Sequence, residues 1–561
     1  MKINWIERLG DKNPQFLREL QELQFSSLLI AVAISFLGQF LLFIFYQGQL
    51  PISYDSTPIS HKFCINDPVS EYENQLYCLR DNAGNFVIHW QLWWLNLFTF
   101  LSLFGIATLL TGGVYLLVNN LATEQRRCTL NFIRLTPQSP QTILLGKLLG
   151  VPSLLYFVFI LAIPLHLWAG LSAKIPLLLI LSFYLVLIVG CFFFYSAAIL
   201  FGLVSSSFKF APWLASGTVL LFLLANHYSI TGTLVDWLFL FSPIQIVPYL
   251  VEATHLNSNS IDGWLILPSS LYSKHWFHIQ IGSNATNLLM SSLLNYSLWS
   301  YWVWQAIKQC YSKPKNPLLT KKQSYFLVVC FELVILGFTL VKGDVPAWKE
   351  GMIYHYRYLL IFNLVMFLAL IMLMTPSRQC IHWGRSSQKH NRNRQQFVQN
   401  LMRQDSVLLT IGVNLAIASA FLIPWILFNL EASDQIPALI SLLICYNFIL
   451  ICAVITQIIG LRITQKPALW ITGTFGIITI LPVIVINLLA RNSDETPMLW
   501  LFTPYAWAVT KLASQVNILF AILIQWTILG LCTLQMRHDI KKLGESASKA
   551  LFTGSNLHSK R

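Results

Sequence analysis

Phe25–Tyr46 reads FSSLLIAVAISFLGQFLLFIFY. It carries no charge and is longer than the ~20 apolar residues that take a helix across a ~30 Å hydrocarbon layer. Ile175–Leu203, Val407–Asn429, Ile436–Ile459 and Val516–Met536 pass the same test. Spans of a β-barrel would alternate over ~10-residue segments instead of running continuously apolar. These stretches therefore predict an all-α polytopic membrane protein. Composition agrees: of 561 residues, 55% are hydrophobic and only 11% charged, with a mean hydropathy of +0.60. Soluble domains carry roughly 25% charged residues.

Extending the reading along the chain gives about 12 spans, near 25–46, 94–118, 147–169, 175–203, 210–228, 285–307, 325–341, 357–375, 407–429, 436–459, 468–490 and 515–536. Met1–Gln24 is polar and no cleavage site follows the first apolar run, so that run is expected to be an uncleaved first span rather than a signal peptide. The net charge of +14 would suggest nucleic acid in a soluble protein. Here the basic clusters Lys308–Lys322, Arg378–Arg403 and Arg537–Arg561 fall on one side of the predicted spans. The positive-inside rule then places both termini in the cytoplasm, with membrane lipid as a partner and no need for nucleic acid. A multi-pass protein of the plasma (inner) membrane is expected.

The ten cysteines show no metal-binding spacing, so no metal site is expected. Cys64 and Cys78 alone fall in an external loop, Gln47–His89. They are either a disulfide, if that side is oxidising, or two free thiols.

Loop lengths favour two six-span halves. The longest cytoplasmic segments follow span 2 (119–146) and span 8 (375–406), the same place in each half. WLFLFSP at Trp237–Pro243 is echoed by WLFTP at Trp500–Pro504, each between the fifth and sixth spans. Internal repeats of this kind are common in transporters. The expected organisation is an interfacial amphipathic helix within 1–24, a first half 25–309, a basic linker 310–324, a second half 325–536 and a basic tail 537–561. In the first segment Asn13-Pro14 supplies a cap and first-turn proline. Phe16, Leu17, Leu20 and Leu23 then share one face.

Between spans 2 and 3 lies Glu124–Gly150, EQRRCTLNFIRLTPQSPQTILLGKLLG. Glu124–Leu135 reads as a helix with Leu130, Phe132 and Ile133 as its apolar positions. Thr136-Pro137 ends it, since the residue before proline is pushed out of helical geometry. Ser139-Pro140 restarts a helix that runs through Ile143, Gly146 and Lys147 into span 3. An elbow of two helices results, suited to passing force from a soluble partner into a membrane helix. The bland readings are membrane-surface anchoring for Arg126, Arg127 and Arg134, and an ordinary loop for the two Xaa-Pro steps.

This stretch resembles the cytoplasmic signature of type-2 ABC transporter permeases, the membrane-spanning subunits of ATP-binding-cassette (ABC) exporters. That signature runs roughly E-x-E-x-G-T-L-E-x-L-x-x-T-P-x-S-x-x-x-I-x-x-G-K. Glu124, Thr129, Leu130, Thr136, Pro137, Ser139, Ile143, Gly146 and Lys147 match it in order and spacing. Cys128 stands where the signature has glycine, and Arg126 and Asn131 where it has acids. The resemblance implies that the 119–147 element is a coupling helix seated in a groove of a cytoplasmic ABC ATPase subunit. Closure of that subunit on ATP would rock the spans between inward- and outward-open states. The number of ATPase subunits, and a second permease chain as a further partner, are left open. In the second half, 392–406 occupies the equivalent place without the motif, as a degenerate coupling element or a basic loop.

The chain is not expected to be an enzyme and carries no catalytic residues: GxxxxGK[ST], HExxH and GxSxG are all missing, and ATP is expected to be bound by the partner. Within the spans, Glu332 is a possible functional residue, on a translocation path or as an interhelical lock; the bland reading is a packing carboxylate. His166 reads as a packed histidine, Arg357 as an interfacial snorkeler, and Trp90, Trp93 and Trp94 as part of an aromatic belt. The alternatives are a secondary transporter driven by an ion gradient and an integral membrane transferase. The first would want acids at the midplane of corresponding spans; the second would want a His/Asp/Glu cluster.

Overall fold

A computed structural model of the chain describes residues 13–51, 61–72, 75–82, 84–205, 208–225, 233–256, 274–313, 316–339, 351–375, 407–462, 467–489 and 497–558. Nine helices among them are long and apolar enough to cross a membrane. The chain is a multi-pass, all-α membrane protein, with two short antiparallel strand pairs among the described residues. Its contacts divide into two compact units, Met1–Lys308 and Gln309–Arg561.

The first described helix of the first unit is α1 (Pro14–Gln21). Asn13 caps it by accepting from Phe16 N at 3.0 Å. The most enclosed residues of this helix are Gln15 and Glu19, while Phe16, Leu17 and Leu20 on the apolar face are half-buried. The helix docks on protein through its polar face. The long apolar α2 (Phe25–Gly48) follows, and then a loop with β1 (Asn66–Tyr72) paired antiparallel to β2 (Gln75–Cys78). Cys64 and Cys78 are joined in a disulfide, with Cα atoms 5.3 Å apart, and pack with Phe86 and Ile88 in a small core of their own. The sequence reading saw neither the strands nor that core.

At the centre of the unit stands α3 (Trp90–Arg126), 37 residues long, or about 55 Å at ~1.5 Å per residue. It outruns the ~30 Å hydrocarbon thickness, so one end must stand clear of the bilayer. Lipid offers helices no hydrophobic drive to associate, so small residues that admit close packing carry the contacts. Tyr195 seats against Gly113, where any Cβ would overlap its hydroxyl, and donates to Leu109 O at 2.6 Å. Gly202 likewise admits Leu121, and Gly170 admits Phe98.

After α3 come α4 (Thr129–Arg134), α5 (Pro140–Gly150), α6 (Ser153–Ser172), α7 (Leu177–Ser205) and α8 (Ala211–Ala225). Span 3 of the sequence reading is thus two helices, α5 and α6, parted at Val151-Pro152. His166 is the packed histidine expected, held by Ser102 Oγ at 2.8 Å and Tyr184 OH at 2.7 Å. The WLFLFSP stretch forms a short α9 (Val235–Phe239), a 3-10 turn at Pro243–Ile246 and α10 (Val247–Glu252). Trp237 Nε1 donates to Asn295 Oδ1 at 3.0 Å, and Tyr296 OH to Phe241 O at 2.8 Å, so this strap is tied to α11 (Ala285–Ser312). Lys274, just before the β3 (His275–Trp276) and β4 (Ile279–Gln280) pair, is enclosed beneath it, donating to Gln245 at 3.2 Å. Burial pushes its amine below the usual lysine range, an effect that the nearby Asp236 partly offsets.

The second unit holds α12 (Lys321–Gly337), α13 (Met352–Met374), α14 (Val407–Asn429), α15 (Ala432–Arg462), α16 (Pro467–Leu489), α17 (Pro497–Trp500) and α18 (Gln515–His558). Thr320 and Gln323 form a reciprocal capping box at the start of α12, and Leu318 N donates to Leu373 O at 2.8 Å. The WLFTP stretch again makes short broken helices, α17 and a 3-10 turn at Ala506–Ala508. These pack on Ile444 and Ile518 through Leu501 and Val509. The segment 376–406, with the expected second coupling element, lies outside the described residues.

Candidate coupling elbow

The elbow begins where α3 stops. Arg126 Nε donates to Ala122 O at 3.1 Å, and two residues later Cys128 takes a left-handed conformation, φ 58° and ψ 9°. The single helix expected over Glu124–Leu135 is therefore two, broken at Cys128. Steric crowding of Cβ in that region costs a non-glycine residue about 1–2 kcal/mol. Thr129 Oγ1 spans the break by donating to Glu124 O at 3.1 Å. Beyond it, α4 turns Leu130 and Ile133 inward and leaves Phe132 74% and Leu135 84% exposed. Phe132, one of the apolar positions, faces outward. Thr136 Oγ1 closes α4 by donating to Ile133 O at 2.7 Å. Pro137 and Ser139 are exposed at the turn, and Ser139 Oγ caps α5 by accepting from Thr142 N at 3.1 Å.

The base of the elbow is a buried ionic lock. Lys147 on α5 is 0% exposed. Its ammonium donates to Glu124 at 2.6 Å, to Asn120 at 3.0 Å and to Glu19 at 3.3 Å. One cation thus ties α5 to the end of α3 and to α1. Gln15 Nε2 supports the same carboxylate, donating to Glu19 at 2.6 Å, and Asn13 Nδ2 donates to Thr142 O at 2.9 Å. The close approach needs glycine on α5: a Cβ at Gly146 would lie 2.6 Å from Asn13 Oδ1, and one at Gly150 would lie 2.5 Å from Glu19 Cβ.

The sequence-derived residues thereby separate into two groups. Glu124, Leu130, Gly146 and Lys147 are enclosed and brace the elbow from inside. Thr129 and Thr136 are half-buried and hold its bends, while Pro137 and Ser139 lie at its surface. Phe132 and Leu135 supply the exposed apolar tip, and Glu19, Asn13 and Asn120 complete the lock; none of these five stood in the sequence-derived set. Glu332 is in the second unit and takes no part. Among the described residues no cluster of His, Cys, Asp or Glu could hold a metal ion. No family model matches the chain, and no curated protein and no solved structure matches it either.

Proposed function

We propose that the chain is the membrane-spanning subunit of an ABC exporter, driven by a separate cytoplasmic ATPase. In this reading it has twelve spans in two six-helix halves, both termini cytoplasmic, in the plasma (inner) membrane. The observation that carries the reading is an apolar tip, Phe132 and Leu135, exposed on an elbow whose base is locked by Lys147. A lever needs both parts: a surface for the partner to grip and a rigid joint to the span it moves. The resemblance of Glu124–Lys147 to the permease signature supplies the partner's identity. Large apolar side chains at the centre of an interface commonly contribute 2 kcal/mol or more, on the order of thirtyfold in affinity.

Phe132→Ala with Leu135→Ala is expected to abolish co-purification of an ATP-binding subunit and to remove stimulation of its ATPase. Membrane insertion should be unchanged, because neither side chain is packed. A double variant that still brings the ATPase with it at full yield overturns the coupling role. Should the parent protein itself bring no ATPase from native membranes, the reading fails as a whole.

A further inference from the structure

The other described, enclosed acid of the second unit, Asp434, faces a cation, Lys511. Glu332 does not. It sits on α12 at 0% exposure, on a face shared with Leu327, Val328, Phe331 and Ile335. Neither carboxyl oxygen makes a hydrogen bond of good geometry. Among the described residues, the Asn363 amide of α13 is its one polar neighbour within hydrogen-bonding reach, and that Nδ2 also donates to Leu359 O at 3.1 Å. Tyr446 of α15 is within electrostatic reach.

Among the described residues of the surrounding elements, no cation forms an ion pair with Glu332. Helix α14 carries no titratable residue along its length. On α15 the titratable neighbours are Tyr446 and Cys445, both buried. On α13, His355, Tyr356 and Arg357 lie one to two turns before Asn363, and Tyr356 is bonded to Ala438 O at 2.6 Å. On α12 itself Cys330 and Tyr325 are nearer, and Lys321 and Lys322 are about 15 Å away along the helix. An ionised carboxylate enclosed without a counter-charge costs several kcal/mol, and such groups take up a proton instead.

We propose that Glu332 is a proton-binding site within the membrane, neutral while α12 is packed against α13 and α14. The reaction is a single proton exchanged with water, with no other bond changed. Release requires the three helices to part far enough to hydrate the carboxylate, so proton occupancy reports the packing of the second unit. This holds whether or not an ATPase drives the chain.

Infrared difference spectra of the parent protein and Glu332→Gln, both in lipid bilayers, test it. At neutral pH the parent should show the carbonyl stretch of a protonated carboxyl that the variant lacks. The band should be unaffected by exchanging sodium for choline. A carboxylate band at neutral pH overturns the proposal. So does a protonated band that sodium removes at fixed pH, since the site would then take an alkali cation. If the variant does not fold, dicyclohexylcarbodiimide, which attacks protonated carboxyls from the apolar phase, replaces it. Parent Glu332 should be labelled at mildly acidic pH and less so as pH rises. Labelling that is absent or independent of pH counts against the site.

Discussion

Cys128 decides the shape of the elbow by a conformation that its side chain does not favour. At φ 58° its Cβ crowds the backbone by about 1–2 kcal/mol. Glycine would remove that crowding and return roughly 0.5–1 kcal/mol in unfolded-chain entropy. Cys128→Gly should therefore leave thermal stability of the solubilised protein unchanged or raised by up to about 1 kcal/mol, while the β-branched Cys128→Val should lower it by at least as much. A valine variant as stable as the parent would show that the left-handed turn is not maintained in solution. The break itself was not legible from the residues. Proline announces its effect on its predecessor, so Thr136-Pro137 could be read as an end, but a cysteine announces nothing about φ. The lock around Lys147 was hidden for a related reason. Its partner Glu19 is 128 positions away, and no local pattern reveals that the two meet.

At the scale of elements, the junction of α1 with α5 depends on two glycines one helical turn apart. Backbone-close packing of this kind tolerates almost no added volume, and overpacking commonly costs about 1–3 kcal/mol. Gly150→Ala puts a methyl 2.5 Å from Glu19 Cβ, and Glu19 also carries the salt bridge, so the helix cannot yield without losing Lys147. The variant should release α1 from the elbow. Arg18, exposed on α1, then gives the readout: trypsin should cut there readily in Gly150→Ala and slowly in the parent, where the helix is held. Equal cleavage rates would sink the strap. By contrast, the long helices were legible almost to their ends, because an uncharged apolar run in a bilayer has only helical ways to satisfy its backbone. The paired strands at Asn66–Cys78 were not, since NDPVSEY and QLYC do not alternate apolar with polar residues.

At the scale of the whole molecule, each compact unit carries its own buried polar feature: the Lys147 lock in the first and Glu332 in the second. The two share no partner residue. Effects at independent sites usually add within ~0.5 kcal/mol, so damage to one unit should stay there. Lys147→Met leaves Glu19 and Glu124 enclosed without their cation, a loss of about 3–5 kcal/mol. Partial opening of that size would raise amide exchange across α1, α4 and α5, whose protection depends on local stability. Helices α14 and α15, packed on each other through the second unit's own core, should keep the protection of the parent. Hydrogen exchange followed by mass spectrometry distinguishes the outcomes peptide by peptide. If α14 and α15 lose protection together with α1, the chain unfolds as a single cooperative body, and the lock supports far more than the elbow it encloses.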